Sequence, residues 1–284
     1  MKGKVILITG ATNGIGLEAA RALGRSGARL VIVGRSADKT NATADLIRRD
    51  TGADVTPLIA DLSQQADIRA LAADFKTRFD RLDVLINNAG AYFNSKQMTA
   101  DGFEMTFALN HLSYFLLTHL LLDVIKDSAP ARIINVSSNA HKFGGIDFDN
   151  LQAEKRFGGM IAYGQSKLEN ILFTYELARR LEGTGVTVNA LHPGVVRTGF
   201  GKNNGALMTV AMNIFQGITG ISAEQGADTI VYLASSPEVA DVSGKYFYKR
   251  RAIKSSAVSY DTDAAARLWA ISEALTGINQ TVKV

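Results

Sequence analysis

The chain has 284 residues, a mass of 30.5 kDa and a hydrophobic fraction of 46%, which suit one large α/β domain with a substantial core. Its 31 basic and 27 acidic residues leave a net charge of +4, and no block of like charge is longer than Lys249-Arg250-Arg251, so nucleic acid binding has little support. The absence of cysteine excludes disulfides, thiolate catalysis and thiolate metal sites, and it is compatible with a reducing compartment; we expect a cytoplasmic protein.

The first predicted element is a buried strand, Lys4 to Thr9, which leads into a glycine turn and a helix from Leu17 to Arg25. Met1-Lys2-Gly3 runs directly into this strand, so we expect no signal peptide and no N-terminal anchor. The turn has the spacing G-x-x-x-G-x-G, not the usual G-x-G-x-x-G. Small residues here would let a pyrophosphate approach the helix N-terminus, whereas an ordinary turn would explain only one glycine. The predicted phosphate cradle comprises Gly10, Thr12, Asn13, Gly14, Ile15 and Gly16.

Short apolar runs alternate with helical patterns along the rest of the chain, which predicts a parallel sheet covered by helices on both faces. No linker, repeat or low-complexity tract divides the sequence, so we predict a single domain over 1–284. Pro57 lies within the third run and favours an edge position for that strand, because proline cannot donate to the ladder. Seven strands are predicted: Lys4 to Thr9, Arg29 to Gly34, Asp54 to Asp61, Leu82 to Asn87, Arg132 to Ser137, Val186 to His192 and Lys245 to Tyr248.

Capping patterns predict where several helices begin and end. Ser63 precedes a helix from Gln64 to Asp80, and Ser222 with Gln225 forms a capping box. Thr262 precedes a helix from Asp263 to Thr276, which Gly277 closes.

The most apolar predicted helix, Phe107 to Ile125, is interrupted by polar residues and is expected to be too polar for a membrane span. This helix and Met160 to Glu182 are apolar on more than one side, as expected if one side covers the sheet and another meets a partner chain. We therefore predict a homodimer or homotetramer. The histidines show no metal-ligand spacing, so we expect packing or loop roles and no bound metal; they are His111, His119, His141 and His192.

Tyr163 and Lys167 lie four residues apart in the second of these helices and therefore share one helical face. A lysine charge beside a phenol favours the tyrosinate, which would make Tyr163 a usable acid or base near neutral pH. Such pairs also occur by chance on solvated helices, so the interpretation depends on the motifs around this one.

Six ordered motifs, spread over nearly the whole chain, resemble those of the short-chain dehydrogenase/reductase family. They are the glycine turn from Gly10 to Gly16, Asn87-Asn88-Ala89-Gly90, Asn110, Ser138, Tyr163 with Lys167, and Pro193-Gly194. Within that family, Asn135 to His141, the long gap from Ser138 to Tyr163, and Leu268 to Glu273 resemble the retinol-dehydrogenase-like branch. The resemblance implies a single-domain, doubly wound fold of the Rossmann type, whose strand order would place the third strand at an edge.

The resemblance also implies a hydride transfer between a nicotinamide and an alcohol or carbonyl, with the protein supplying geometry and proton transfer. Tyr163 would be the general acid/base, and Lys167 would favour the phenolate and bind the nicotinamide ribose. Ser138 would hold the substrate oxygen; Ser137 is the alternative, and a Ser-Ser pair could simply cap a turn. Asn110 corresponds to the asparagine that anchors a water relay behind the lysine.

Further cofactor contacts follow from the same resemblance. Asn88, Ala89 and Gly90 would line the adenosine ribose, and Asp61 with Leu62 would contact the adenine, although Asp61 could equally cap a helix. The segment with Pro193, Gly194, Val196 and Thr198 would hold the nicotinamide amide.

The end of the second strand bears on cofactor choice. NAD-selective sites place an acid there for the ribose 2′-hydroxyl, whereas this chain has Arg35 and Lys39, whose positive charge suits a 2′-phosphate. We therefore expect NADP(H), with NAD(H) less favoured. A solvated surface arginine is the alternative.

Residues 199–221 are the least regular part of the chain, first rich in glycine and asparagine and then apolar. They predict a substrate-covering lid, or else a surface helix packed on the core. The favoured function is an oxidoreductase acting on a bulky lipophilic alcohol or carbonyl. The alternatives are a cofactor-sensing or scaffold protein without turnover, which the intact catalytic set disfavours, and a relative of protochlorophyllide reductase, which the absence of cysteine disfavours.

Overall fold

The computed structural model describes residues 1–196 and 220–278. Within them, eight strands form one sheet in the order β3-β2-β1-β4-β5-β6-β7-β8. All neighbours are parallel except β8, which runs antiparallel to β7. The strands are β1 (Val5–Thr9), β2 (Arg29–Gly34), β3 (Val55–Ile59), β4 (Val84–Asn87), β5 (Ala131–Val136), β6 (Val186–Leu191), β7 (Lys245–Tyr248) and β8 (Arg251–Ile253).

Helices cover both faces of this sheet. Successive residues of a strand point to opposite faces, and in β1 they pack in two different core clusters. Val5 and Leu7 of β1 pack with the cluster that contains α3, α5 and α6, whereas Ile6 and Ile8 pack with α1, α2 and α7. The helices are α1 (Gly14–Arg25), α2 (Ala37–Thr51), α3 (Gln65–Arg78), α4 (Met105–Phe107), α5 (Ser113–Asp127), α6 (Gly159–Arg180), α7 (Ala223–Ser235) and α8 (Thr262–Thr276). The doubly wound prediction is confirmed, and Pro57 lies in the edge strand β3 opposite Ile32.

The eighth strand is absent from the sequence prediction. Lys249 and Arg250 connect β7 to β8 with φ of 48° and 61°, a conformation that side chains other than glycine and asparagine adopt with strain. The turn therefore carries no recognisable hairpin sequence. Arg250 is held by its backbone N–H, which donates to Thr229 Oγ1 at 3.2 Å, and by an ion pair with Asp228.

Two predicted helix caps are each displaced by one residue. Gln64, not Ser63, is the N-cap of α3, because Ser63 donates its hydroxyl to Asp61 Oδ1 at 2.8 Å. Asp261, not Thr262, caps α8 and accepts from two backbone N–H groups. The capping box of Ser222 with Gln225 is present at α7.

A helix of the same chain covers the second apolar side of α5 and α6. Trp269 of α8 is only 6% exposed and lies with its ring 5.1 Å from Phe115 and 5.9 Å from Phe173. The Arg180 guanidinium lies 4.0 Å from the Trp269 ring. The second apolar side of α5 and α6 is therefore covered by α8, and it gives no support for a partner chain there.

The polar residues of the predicted helix Phe107 to Ile125 do not exclude a membrane span by length and composition. The helical stretch Met105–Asp127 passes the criteria of length and composition for such a span among the residues described. Most of it is buried within the structure, as in the core helix of a globular domain.

Candidate active site

The carboxyl ends of the parallel strands bring the predicted catalytic residues together. Tyr163 and Lys167 lie one turn apart on α6, with the Lys167 ammonium 5.6 Å from the Tyr163 ring centre. Lys167 is 4% exposed and donates to the carbonyl of Val136, the last residue of β5, at 3.2 Å. The pair therefore lies at the end of the sheet, where open parallel sheets bind ligands.

The electrostatics of the pair differ from the sequence expectation. Burial raises the pKa of Tyr163 to about 12, and a hydrogen bond with the Ser138 side chain acts in the opposite direction. Burial lowers the pKa of Lys167 to about 7. In the protein alone, Tyr163 is thus a phenol at neutral pH, and the neighbouring lysine does not produce a phenolate by itself.

The two serines after β5 have different partners. Ser137 is 2% exposed, and its hydroxyl donates a hydrogen bond to the carbonyl of Lys167 at 2.7 Å, so it fixes the backbone of α6 to the end of β5. Ser138 caps the 3₁₀ turn Asn139–Phe143 and forms the hydrogen bond with Tyr163. Of the two hydroxyls, only that of Ser138 is placed to share a substrate oxygen with Tyr163.

Asn110 lies in a π-helical turn, Ala108–Leu112, between α4 and α5. Its amide is completely buried and bonds both polar groups of Ala91, at 2.9 Å each, and the hydroxyl of Ser166 at 3.0 Å. The wider turn therefore directs the side chain across to the loop after β4, and π-helical turns often accompany functional sites. A Cβ on Gly90 would lie 3.1 Å from Asn110 Oδ1 and 3.2 Å from Lys167 Nζ, so only glycine fits there without displacement.

The glycine turn has the geometry of an anion cradle. Gly10 and Gly14 have φ of 65° and 54°, and a Cβ on Gly16 would lie 2.5 Å from the carbonyl oxygen of Gly10. Asn13 is the N-cap of α1 but makes no capping hydrogen bond with its side chain. The first N–H groups of α1 are thus left for a ligand, and Thr12 and Ile15 flank them.

Thr9 ties this turn to the neighbouring strand. Its hydroxyl accepts from the backbone N–H groups of Asn88 and Ala89 at 2.9 and 3.0 Å. The Asn88 amide donates in return to the carbonyls of Thr9 and Gly10. This crossing lies between β1 and β4, where the strand order reverses and doubly wound sheets bind dinucleotides.

Positive charge lies at the end of β2. Arg35 and Lys39 are exposed, and neither forms a salt bridge within residues 1–196 and 220–278. Burial alone would raise the pKa of Asp61, but hydrogen bonds from Ser63 and the charge of Arg35 lower it below its ordinary value. The Asp61 carboxylate thus has a capping role on its own turn, while Leu62 beside it is 7% exposed.

The segment after β6 is described only in part. Gly194 has φ of 92°, which favours glycine, and Val196 pairs with Ile221. Thr198 and residues 199–219 of the predicted lid, 199–221, lie outside the described residues.

Three supporting residues escaped the sequence prediction. Thr9 ends a strand like many threonines, and Ser166, which donates to the Tyr163 carbonyl at 2.8 Å, stands inside the helix without a motif of its own. Gly226 lets α7 approach both cofactor segments, because a Cβ there would lie 2.7 Å from Ile15 and 2.8 Å from Val196. Each acts through a contact between distant segments, which a single sequence does not display.

Known proteins with this sequence pattern are numerous. A family model described as short chain dehydrogenase matches residues 4–207. Human retinol dehydrogenase 14 is 43% identical over 294 aligned positions, covering 98% of this chain and 88% of the relative. Mouse retinol dehydrogenase 12 is 45% identical over 277 positions, covering 97% and 87%.

Solved structures agree with these relatives. An uncharacterized protein from Mycobacterium paratuberculosis superposes with a TM-score of 0.78 at 33% identity, covering 97% of this chain and 94% of that one. The Pseudomonas aeruginosa RhlG/NADP active-site complex superposes with a TM-score of 0.70 at 29% identity, covering 87% and 94%.

The close approach at Gly16 yields a test of the cradle. We expect Gly16→Ala to weaken binding of a nicotinamide dinucleotide by at least about tenfold, because the added methyl group must displace the backbone of the turn. Gly145→Ala is the control, since no atom lies within 4 Å of its added Cβ. Fluorescence titration with NADPH measures both variants; equal affinities would contradict the assignment of the turn.

Proposed function

The chain belongs to the short chain dehydrogenase family, and we propose that it is an NADP(H)-dependent oxidoreductase acting on the alcohol or carbonyl group of a bulky lipophilic substrate. Hydride-transfer oxidoreduction follows from the family; the preference for NADP(H) and the substrate class are our proposals. The observation that carries the proposal is the placement of the Tyr163 phenol between the Ser138 hydroxyl and the buried Lys167 ammonium.

In carbonyl reduction, the Tyr163 hydroxyl gives its proton to the substrate oxygen, which Ser138 holds by a hydrogen bond. The pKa of Tyr163, raised to about 12 by burial, keeps that proton in place at neutral pH. In alcohol oxidation the phenol must first lose its proton to solvent, and the positive charge of Lys167 stabilises the resulting phenolate, which takes the proton of the substrate hydroxyl. When bound, the nicotinamide supplies or accepts the hydride.

The residues around the cradle fit such a cofactor. The glycine turn and the uncapped start of α1 would hold the pyrophosphate, and Asn88, Ala89 and Gly90 would line the adenosine ribose. Lys167 would also bind the nicotinamide ribose, and Gly194 with Val196 would border the nicotinamide. Arg35 and Lys39 would meet the 2′-phosphate.

Exposed apolar side chains support a lipophilic substrate. Phe143, the last residue of the turn that Ser138 caps, is 68% exposed, and Ile161, two residues before Tyr163, is 62% exposed. The Tyr92 ring meets the Tyr163 ring edge to face, with centres 6.1 Å apart. Apolar surface beside a polar reaction centre suits a ligand that is largely hydrocarbon. The relatives named retinol dehydrogenases are consistent with this class of substrate.

Removal of the Tyr163 hydroxyl distinguishes an enzyme from a cofactor-binding scaffold without turnover. We expect Tyr163→Phe to lower kcat by at least about 100-fold with little change in NADPH affinity, because only the proton donor is lost. Tyr232→Phe is the control, since it removes a hydroxyl on α7 that bonds Glu238. The measurement is NADPH absorbance with a panel of retinoids, steroids, aromatic ketones and aliphatic aldehydes; Tyr163→Phe activity within tenfold of the parent would refute the role.

Cofactor selectivity tests the positive charge after β2. A guanidinium contact to the 2′-phosphate would be worth roughly 1.5 to 3 kcal/mol, so we expect NADPH to be preferred over NADH by about ten- to one-hundred-fold. Arg35→Ala should remove most of this preference, whereas Arg49→Ala, at an exposed position of α2, should retain it. The measurement is the ratio of kcat/KM for NADPH to kcat/KM for NADH in the parent and both variants. A parent that prefers NADH would rule out the assignment of Arg35 to the 2′-phosphate.

Assembly into a homodimer or homotetramer remains a prediction, and α8 removes its original support. Exposed apolar residues such as Ile59, Met98 and Met160 are candidates for a contact between subunits. We expect light scattering at micromolar concentration to give a multiple of 30.5 kDa. A monomer mass there would reject association. A cytoplasmic location likewise remains a prediction.

A further inference from the structure

His141 is a buried histidine beside the candidate active site that the proposed chemistry does not use. It follows Ser138 by three residues in the 3₁₀ turn Asn139–Phe143 and is completely buried. Its Nδ1 lies 2.7 Å from the carbonyl oxygen of Ser138, and its Nε2 lies 3.1 Å from the backbone nitrogen of Ser256. One ring thus joins the catalytic turn to the segment that follows β8.

The two contacts fix the position of the imidazole proton. A backbone N–H can only donate, so His141 Nε2 must accept from Ser256, and the ring proton therefore lies on Nδ1. Nδ1 donates this proton to the Ser138 carbonyl, which also accepts from the backbone N–H of His141 at 3.1 Å. The ring performs both tasks only when it is neutral.

The surroundings of His141 do not favour an imidazolium. Tyr246 of β7 meets the ring edge to face, with its hydroxyl oxygen 3.3 Å from Nδ1. Titratable groups on the packed elements include Lys142 in the same turn, Tyr163 and Lys167 of α6, His192 after β6, and Tyr260 after β8. α6 also carries the carboxyl groups of Glu169 and Glu176, but neither contributes to the pKa of His141. Burial lowers that pKa below 6.5, the hydrogen bond with the Ser138 carbonyl opposes this, and the charge of Lys142 adds to the lowering.

We propose that neutral His141 is a positioning residue that holds Ser138 against Tyr163, and that a proton added at its Nε2 releases this hold. The added proton removes the acceptor for the Ser256 N–H and brings two N–H groups face to face. The ring must then turn away, which withdraws Nδ1–H from the Ser138 carbonyl. This inference rests on the proposed function, because Ser138 acts there on the substrate oxygen.

In the direction of carbonyl reduction, the effects of His141 and Tyr163 on the pH dependence of kcat can be distinguished. Carbonyl reduction needs Tyr163 in its phenol form, which a fall in pH preserves. A loss of reduction rate on the acid side therefore belongs to another group. The protonated fraction of His141 grows as pH falls, so kcat for reduction should decrease below the pKa of His141. The titration of Lys167, with a pKa of about 7, lies on the alkaline side of this limb, where Lys167 loses its proton as pH rises.

Two substitutions test the role. Phenylalanine keeps the ring volume but makes neither hydrogen bond, so we expect His141→Phe to lower kcat for reduction by about tenfold or more, with NADPH affinity within about twofold. Asparagine retains a donor near the position of Nδ1 and does not titrate. We therefore expect His141→Asn to keep kcat within about threefold of the parent and to lose the acid limb.

Controls and an independent readout complete the experiment. His119→Phe replaces a half-buried imidazole whose Nδ1 bonds the carbonyl of Phe115 in its own helix, so its pH profile should match the parent. Nitrogen-15 NMR of the parent should show His141 as the neutral Nδ1–H form at pH 6.5, where a free histidine is half protonated. This spectrum requires no turnover.

The outcomes distinguish the inference from the function on which it rests. A parent without oxidoreductase activity would refute the proposed function, whatever the spectrum shows. An active parent would refute the inference if His141→Phe retained its kcat, if the acid limb persisted in His141→Asn, or if the ring proton lay on Nε2. A folded His141→Phe with reduced kcat, together with a flattened profile in His141→Asn, would support it.

Discussion

A buried ammonium group imposes the strictest condition on this structure. Lys167 is 4% exposed, and the carbonyl of Val136 is the acceptor that the sheet provides for it. A charge withdrawn from water is costly unless the surroundings compensate it, and its pKa of about 7 measures that cost. Gly90 leaves space for the ammonium, the π-helical turn places Asn110 beside it, and Ser137 bonds its backbone. The end of β5, the loop after β4 and the π-helical turn thus converge on one residue, which α6 presents at the end of the sheet.

The parts of the fold that follow from local patterns were predictable. Seven parallel strands, the edge position of Pro57 and the capping box at Ser222 each follow from backbone chemistry within a few residues. The family resemblance brought together the glycine turn, Ser138, Tyr163 and Lys167, and the structure places them at one end of the sheet. A motif that depends on neighbouring residues in the chain is visible before the structure is known.

Features that depend on distant segments were not predictable. The π-helical turn at Asn110 has no sequence pattern, and β8 follows a turn of Lys249 and Arg250 that lacks the usual glycine. The pKa of Tyr163 was expected to fall beside Lys167, but burial raises it, and burial is a property of the whole fold. The apolar second side of α5 suggested another subunit, whereas Trp269 of the same chain covers it. Hydrophobic periodicity shows that a surface is covered without showing by what.

The position of Trp269 also bears on the order in which the chain folds during synthesis. The side chain belongs to the core layer formed by α3, α5 and α6, yet it follows Phe115 by about 150 residues, a separation that takes on the order of ten seconds to translate. Once Phe173 has been made, the groove between Phe115 and Phe173 would lack this cover until Trp269 follows. Exposed apolar surface on an unfinished domain is a site for chaperone binding or aggregation. α8 therefore completes this core layer. A chain whose synthesis ends before Trp269 would retain an uncovered apolar groove.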